Sequence, residues 1–177
     1  MEKFDRIKRE LVYKGAIIDF CKETLKLPNG NIVNWDLIDH KGAAAVVPVT
    51  DEGKIVLVKQ YRPCIERFTL EIPAGGLEPG EDMATAAARE LEEEAGYQCE
   101  HIELLLNLQT TVAFCNERIG IYLATGLKRT KQKLDEDEFV EFKEYTIDEL
   151  EQMIFDGIIQ DGKTISALLV YKNKYCK

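Results

Sequence analysis

The pattern of apolar and polar positions reads first as strands. Residues 24–27 and 32–38 alternate with the period of two that turns one face inward and one outward. Pro28-Asn29-Gly30-Asn31 lies between them, and an Asn-Gly pair between alternating segments is a strong hairpin signal. The chain before residue 24 reads as extended. Residues 43–50 form an apolar run, Asp51-Glu52-Gly53 turns, and residues 54–61 return, so a second hairpin is expected. In its return strand Val56, Val58 and Gln60 share one face, with Ile55 and Leu57 on the other. Leu70-Glu71-Ile72-Pro73-Ala74 predicts a short strand running into Gly75-Gly76.

After a Pro79-Gly80 turn the period changes. A helix is expected from Asp82 to Ala95, stopped by Gly96. Further strands are expected near residues 102–111, 118–125 and 139–145. Thr146-Ile147-Asp148-Glu149 is a capping box, which opens a helix ending near Gly157. A last helix is expected from Thr164 to Tyr175. Strands outnumber helices and do not alternate regularly with them. The expected class is therefore α/β (α+β), a mixed sheet sandwiched between helices, with antiparallel strands at the N-terminus.

Length and charge narrow the function. A chain of 177 residues suits one domain with a small appendage, and it needs no disulfide or structural metal to fold. With 23 Lys+Arg against 32 Asp+Glu the net charge is −9, which argues against a nucleic-acid surface or a polybasic membrane face. Phosphate chemistry stays open, because an acidic site that carries cations reverses its local field. The five cysteines form no CxxC motif and are odd in number, so they read as free thiols of a cytoplasmic protein. His40 and His101 stand alone and read as surface or boundary residues. The first twelve residues are charged and lack the apolar core of a signal peptide. Residues 43–49, the longest apolar stretch, are too few to cross a bilayer.

The chemistry concentrates in residues 75–97. On a helical wheel Glu90, Glu93 and Glu94 fall within an arc of about 100°. Ala84, Ala87, Ala88, Leu91 and Ala95 take the adjoining face, small enough to lie close to a sheet. Charge runs are usually solvated helix faces. Two physical points oppose that reading here. Glu90 and Glu94 repel at i,i+4, and Glu92, Glu93 and Glu94 occupy the last turn, where the helix dipole disfavours anions. A pattern that breaks local rules without compensation is often a functional site. Clustered carboxylates without His or Cys suit Mg²⁺ or Mn²⁺ rather than zinc. Arg89 could orient one of them by a forked hydrogen bond.

Gly75-x5-Glu81-x7-Arg89-Glu90-Leu91-x-Glu93-Glu94-x-Gly96-Tyr97 resembles the Nudix box, with only the final aliphatic position changed, to Tyr97. The resemblance implies the Nudix α/β/α sandwich and hydrolysis of a nucleoside diphosphate linked to another moiety, with divalent metal. Outside the box the chain resembles the ADP-ribose pyrophosphatase branch, through Val58-Lys59-Gln60-Tyr61-Arg62, Leu70-Glu71-Ile72-Pro73-Ala74-Gly75, Asp135-Glu136-Asp137-Glu138-Phe139-Val140-Glu141 and Gly157-Ile158-Ile159-x-Asp161-x-Lys163-Thr164-Ile165. That likeness implies metal held by the Ala74 carbonyl, Glu90 and Glu94, joined by Glu93. It implies a phosphate contact from Arg62 and water activation by Glu138, with Glu93 and Arg89 also in the catalytic group. Two stretches depart from the branch. Thr111-Val112-Ala113-Phe114-Cys115-Asn116-Glu117 lacks the proline that marks ADP-ribose specificity, and Gly76 stands where many relatives have Lys.

The remaining candidates have ordinary readings beside functional ones. Asp135 and Glu136 read as a solvated loop. Glu117 faces either solvent or the metals and is taken as a substrate contact. Trp35, the single tryptophan, packs in a core or offers an adenine-stacking platform. The expected activity is Mg²⁺-dependent cleavage of a nucleoside diphosphate sugar, ADP-ribose preferred, to AMP and ribose 5-phosphate. The alternatives are another nucleotide sugar such as GDP-mannose, or a module that binds ADP-ribose without cleaving it. Residues 1–40 are expected as an N-terminal β-strand segment and 41–177 as the hydrolase domain. Relatives are dimers whose N-terminal strands help build the partner's site, so a homodimer is expected. No nucleic acid or membrane partner is expected.

Overall fold

In the computed structural model, which describes residues 2–134, 136 and 138–176, the chain divides into two units. Asp135 and Asp137 of the acidic run lie outside the described residues. The first unit comprises Met1–Gly42 and Gln109–Arg118. Its strands β1 (Asp5–Lys14), β2 (Ile18–Lys26) and β3 (Ile32–His40) form an antiparallel sheet in the order β1-β2-β3. The hairpin expected at Asn29-Gly30 joins β2 to β3. Gly30 takes φ +87° there, the left-handed conformation that glycine adopts without steric penalty. The segment before Arg118 adds to this sheet. Ile38 N–H donates to the Phe114 carbonyl at 2.7 Å, and the Asn116 side-chain carbonyl accepts from His40 N–H at 2.8 Å.

The second unit, Ala43–Leu108 with Ile119–Lys177, holds the remaining elements. They are β4 (Ala43–Pro48), β5 (Ile55–Arg62), β6 (Arg67–Glu71), β7 (Ala74–Gly76), α1 (Met83–Ala95), β8 (Tyr97–Gln109), β9 (Arg118–Arg129), β10 (Val140–Tyr145), α2 (Ile147–Phe155) and α3 (Gly162–Tyr175). One sheet runs β7-β4-β9-β8, with β4 parallel to β9 and antiparallel to β7. The other runs β10-β5-β6 and is antiparallel.

Strand β4 and the first half of β5 are buried on both faces, so each needs cover on two sides. Ala45, Val47, Ile55 and Leu57 pack with Leu150 of α2 and Leu168 and Tyr171 of α3. Ala44, Val46, Val56 and Val58 pack instead with Ala86, Ala87, Leu91 and Ala95 of α1. The two faces read from the sequence of β5 are thus the two cores of the unit. Helices cover both sides of the strands, as the expected fold class requires.

Two expectations are corrected. The turn at Asp51-Glu52-Gly53 forms, with Thr50 N–H on the Lys54 carbonyl at 2.8 Å, but β4 and β5 part after one bridge and join different sheets. Turn chemistry fixes the chain reversal, whereas the partner of each strand is chosen by tertiary burial. The strand expected over residues 70–76 divides at Pro73, which has no N–H to give a ladder, and its halves β6 and β7 serve separate sheets.

The junction between those halves is held by α3. Thr164 is fully buried, and its hydroxyl accepts from Ile72 N–H at 3.0 Å while donating to Asp161 at 2.6 Å. Asp161 also caps the helix by accepting from Thr164 N–H. Among the described residues no helix is long and apolar enough to cross a membrane. Replacing Thr164 by Val keeps the shape and strands a buried amide, so denaturant unfolding is expected to show a loss of about 1–3 kcal/mol. An unchanged midpoint would mean that Ile72 N–H finds another acceptor.

Candidate active site

Helix α1 starts at Asp82, whose carboxylate accepts from Ala84 and Thr85 N–H, and ends at Gly96 with φ 65°. Its buried residues are Ala86, Ala87, Glu90, Leu91, Glu94 and Ala95, a stripe at the spacing i, i+1, i+4, i+5. The wheel put Ala84 and Ala88 on the apolar side. Ala86 takes that place instead, and two glutamates belong to the buried stripe. Glu90 is 7% exposed and Glu94 3%, which overturns the solvated-face reading for both.

Their burial follows from close approach to β7. Glu94 Oε2 accepts from Ala74 N–H at 2.9 Å. Gly75 lies directly against Glu90, where a Cβ would stand 1.9 Å from Oε1. Any side chain at residue 75 would drive that carboxylate from its place. Such burial makes ionisation unfavourable. Desolvation lifts Glu90 to about 7, against the pull of Arg89, with the charges of Glu93 and Glu138 adding to the rise. Desolvation also lifts Glu94 to about 8, reinforced by Glu90 and Glu138 and opposed by the Ala74 amide and Lys163.

Arg89 organises the remaining carboxylates. Its Nε and Nη2 fork onto the two oxygens of Glu81 at 3.0 and 3.1 Å. Nη2 also donates to the Gly76 carbonyl at 3.1 Å, and Nη1 to Glu90 at 2.7 Å and Glu93 at 2.8 Å. All five N–H bonds of the guanidinium are thereby engaged by protein acceptors. Among the described residues no group of three or more His, Cys, Asp or Glu side chains is arranged to hold a metal ion. The local reason is visible in the bonds: Glu90 and Glu93 turn oxygens to Arg89, and Glu94 turns one to a backbone amide.

The C-terminal end of α1 is met by residues 130–133. Thr130 N–H donates to the Gly96 carbonyl at 2.7 Å and Lys133 N–H to the Glu93 carbonyl at 3.1 Å. The Gln132 side-chain amide donates to the Glu94 carbonyl at 2.6 Å, and Lys133 Nζ pairs with Glu92 at 2.9 Å. Acidic residues in the last turn of a helix are thus offset from outside the helix.

A second charged group adjoins the first. Glu71 is buried and accepts from Arg62 Nε at 2.8 Å and Nη2 at 2.6 Å, from Thr69 at 2.6 Å, and from Lys163. Burial opposes its ionisation, but the Arg62 and Lys163 contacts outweigh that and hold it down to about 2. Arg62 has a side chain 38% exposed, with N–H bonds beyond the two on Glu71. The charge of Glu94 is felt at Arg62 and that of Lys163 at Glu94, so the two groups share one field. Sequence reasoning missed Glu71, Asp161 and Lys163 as a network. An acid inside the apolar run Leu70-Glu71-Ile72 was the available signal.

Trp35 and Glu117 belong to the first unit. Trp35 is 47% exposed and meets Phe4 edge-on at 5.7 Å, so it is not a core residue. Glu117 accepts from the Thr110 hydroxyl at 2.8 Å, and His40 Nε2 lies 3.6 Å from its other oxygen. His40 is fixed from behind, because its Nδ1 accepts from Gly42 N–H at 3.0 Å.

Comparison with known proteins bears on family and fold. A family model described as NUDIX domain matches residues 39–168. A methanol dehydrogenase activator from Bacillus methanolicus is 44% identical over 92% of this chain and 89% of its own length. An ADP-ribose pyrophosphatase from Bacillus subtilis is 41% identical over the same shares, 92% and 89%. A solved structure of an ADP compounds hydrolase superposes with a TM-score of 0.86 at 21% identity, covering 98% of this chain and 94% of that one, and so shares its fold. With a matching family model across most of its length and a glutamate-lined α1 seated on a glycine strand, the chain belongs to the Nudix hydrolase family.

Proposed function

We propose that the protein hydrolyses the pyrophosphate bond of a nucleoside diphosphate sugar with Mg²⁺, prefers ADP-ribose, and releases AMP and ribose 5-phosphate. The observation that carries the reading is the pair Glu90 and Glu94, buried against the β7 backbone with one Arg89 N–H on Glu90 and only a backbone amide on Glu94. Their oxygens are hard donors of the kind Mg²⁺ or Mn²⁺ takes, and glycine at residue 75 lets the Glu90 carboxylate lie directly against the β7 backbone. The similarity to the Bacillus subtilis ADP-ribose pyrophosphatase supports the substrate class.

The Ala74 carbonyl, Glu90 and Glu94 would hold the ion, joined by Glu93. A bound divalent cation would neutralise charge on the diphosphate and make a water molecule more acidic. The chain's own residues do the rest. Arg62 offers the donors that Glu71 leaves over to the substrate's phosphate oxygens. Arg89 engages no substrate atom, since its donors are full. It keeps Glu90 and Glu93 oriented and ties Glu81 into the same frame. Glu138, whose charge reaches both Glu90 and Glu94, takes the proton from the attacking water at a carboxylate oxygen. The exposed Trp35 ring stacks on the adenine and Glu117 accepts a hydrogen bond from the substrate. A homodimer formed through residues 1–40 fits a β1 exposed along its whole length. A cytoplasmic setting fits five free cysteines.

A second reading comes from the Bacillus methanolicus relative, which is named for activating a dehydrogenase. One assay separates the two. Purified protein is given nucleoside diphosphate compounds with and without Mg²⁺, and released monophosphate is scored. AMP from ADP-ribose, abolished by a chelator, is the expected result. Preferred turnover of a guanine or uridine sugar would move the substrate, and no turnover of any compound would favour an activating or purely binding role.

Glu94→Gln is expected to fold and to lower kcat roughly 100-fold or more, as loss of a key electrostatic group does. Stability supplies an independent readout. A glutamate whose folded pKa lies above its ordinary 4.5 holds its proton more tightly in the folded state, so stability falls as pH rises from 4.5 through the folded values of about 7 and about 8. In chelator, Tm is expected to fall between about pH 5 and about pH 8, and Glu94→Gln is expected to flatten that fall. Equal slopes for the two proteins would remove Glu94 from the account.

Trp35→Ala is expected to raise KM for ADP-ribose about 5- to 150-fold, the equivalent of roughly 1–3 kcal/mol of base stacking, with kcat little changed. A substrate without adenine should not distinguish the variant from wild type. An unchanged KM for ADP-ribose would place the base elsewhere.

A further inference from the structure

Gln132 carries no sequence signal, and beyond meeting the end of α1 its side-chain amide joins two backbone positions that flank the proposed chemistry. Nε2 donates to the Glu94 carbonyl at 2.6 Å and to the Val140 carbonyl at 3.3 Å. The first acceptor is in the last turn of α1, on a residue whose side chain is a proposed cation ligand. The second opens β10, two residues beyond Glu138. A primary amide has two N–H bonds, and here both are used.

The surroundings make this a fixed platform. Thr130 N–H and Lys133 N–H answer two further carbonyls at the end of α1, and Lys133 Nζ pairs with Glu92. Gly96 lets the backbones meet closely, since a Cβ there would stand 3.0 Å from Gln132 N. A helix cap needs only the bond to the Glu94 carbonyl. The second bond, to Val140, is one a cap has no use for. It brings the chain that follows Glu138 to the helix that carries Glu90 and Glu94.

We infer that Gln132 is a positioning residue for Glu138, tying Val140, two residues beyond Glu138, to the C-terminus of α1 and so holding that carboxylate toward Glu90 and Glu94. The inference rests on the reading of Glu138 as the base. Misplacing a catalytic group by about 1 Å can lower a rate about 100-fold. Gln132 therefore acts on the chemical step and leaves substrate binding alone.

The test is a double-mutant cycle on the full-length protein. Gln132→Met keeps the volume and removes both donors, and Gln132→Ala guards against a packing artefact in Met. Each is made in wild type and in Glu138→Gln, and kcat, KM and Tm are measured. Alone, either variant is expected to lower kcat about 10- to 100-fold with KM unchanged. In the Glu138→Gln background neither should lower kcat further, because the group being positioned has lost its base. An equal loss in both backgrounds, or a fall in Tm with kcat intact, would make Gln132 a structural cap and overturn the inference. Full activity in Glu138→Gln alone would fell the base assignment and the inference together. A large loss in Glu138→Gln beside fully active Gln132 variants would fell the inference by itself.

Discussion

Two carboxylates pressed into a dry seam against backbone are the constraint on which this structure turns. Glu90 and Glu94 stand one helical turn apart on the buried stripe of α1, and the strand they meet has glycine where a Cβ would displace one of them. A buried carboxylate can take a proton, meet a cation, or stay charged at high free energy. Arg89 gives one N–H to Glu90 and none to Glu94, so the seam stays short of positive charge. That shortage is the physical basis for reading it as a place for a divalent ion.

Glu71 shows the opposite solution to the same problem. It is as deeply buried as Glu94, and it meets two cations and a hydroxyl. Its pKa falls to about 2 whereas that of Glu94 rises to about 8. One glutamate is part of the frame, and the other is held in an unresolved electrostatic state beside it. The frame has two anchors. The first turn of α3 fixes Glu71 and Ile72 through Lys163 and Thr164. Residues 130–133 fix the last turn of α1. Between these anchors lie Ala74–Gly76 and the buried glutamates. The seam is therefore held on rigid elements rather than left to flexible side chains, which is what precise placement of charge requires.

Burial on both faces of β4 and β5 makes that possible. Strands with no solvent side must carry helices on both sides. Helix α1 can approach closely on one side because three of its buried residues, Ala86, Ala87 and Ala95, are alanine. A helix with large inward side chains would stand off, and the carboxylates would reach water instead of the β7 backbone.

The sequence alone determined what is local or periodic. Alternation, Asn29-Gly30, Asp82 and Gly96, and the capping box at Thr146 placed most elements, because each acts within a few residues along the chain. The repelling pair at i,i+4 marked α1 as a candidate site, and the box spacing led to the family. Tertiary structure decided everything that depends on partners far apart in sequence. It sent β4 and β5 to different sheets despite their tight turn, and it divided residues 70–76 at Pro73. It turned Glu90 and Glu94 inward, where the wheel could give only their common face. It gave Arg89 five acceptors and set Glu71 between Arg62 and Lys163. It also placed Gln132, an ordinary polar residue, between the carbonyls of Glu94 and Val140. No propensity or spacing rule encodes such contacts, since they exist only once burial has brought distant segments together.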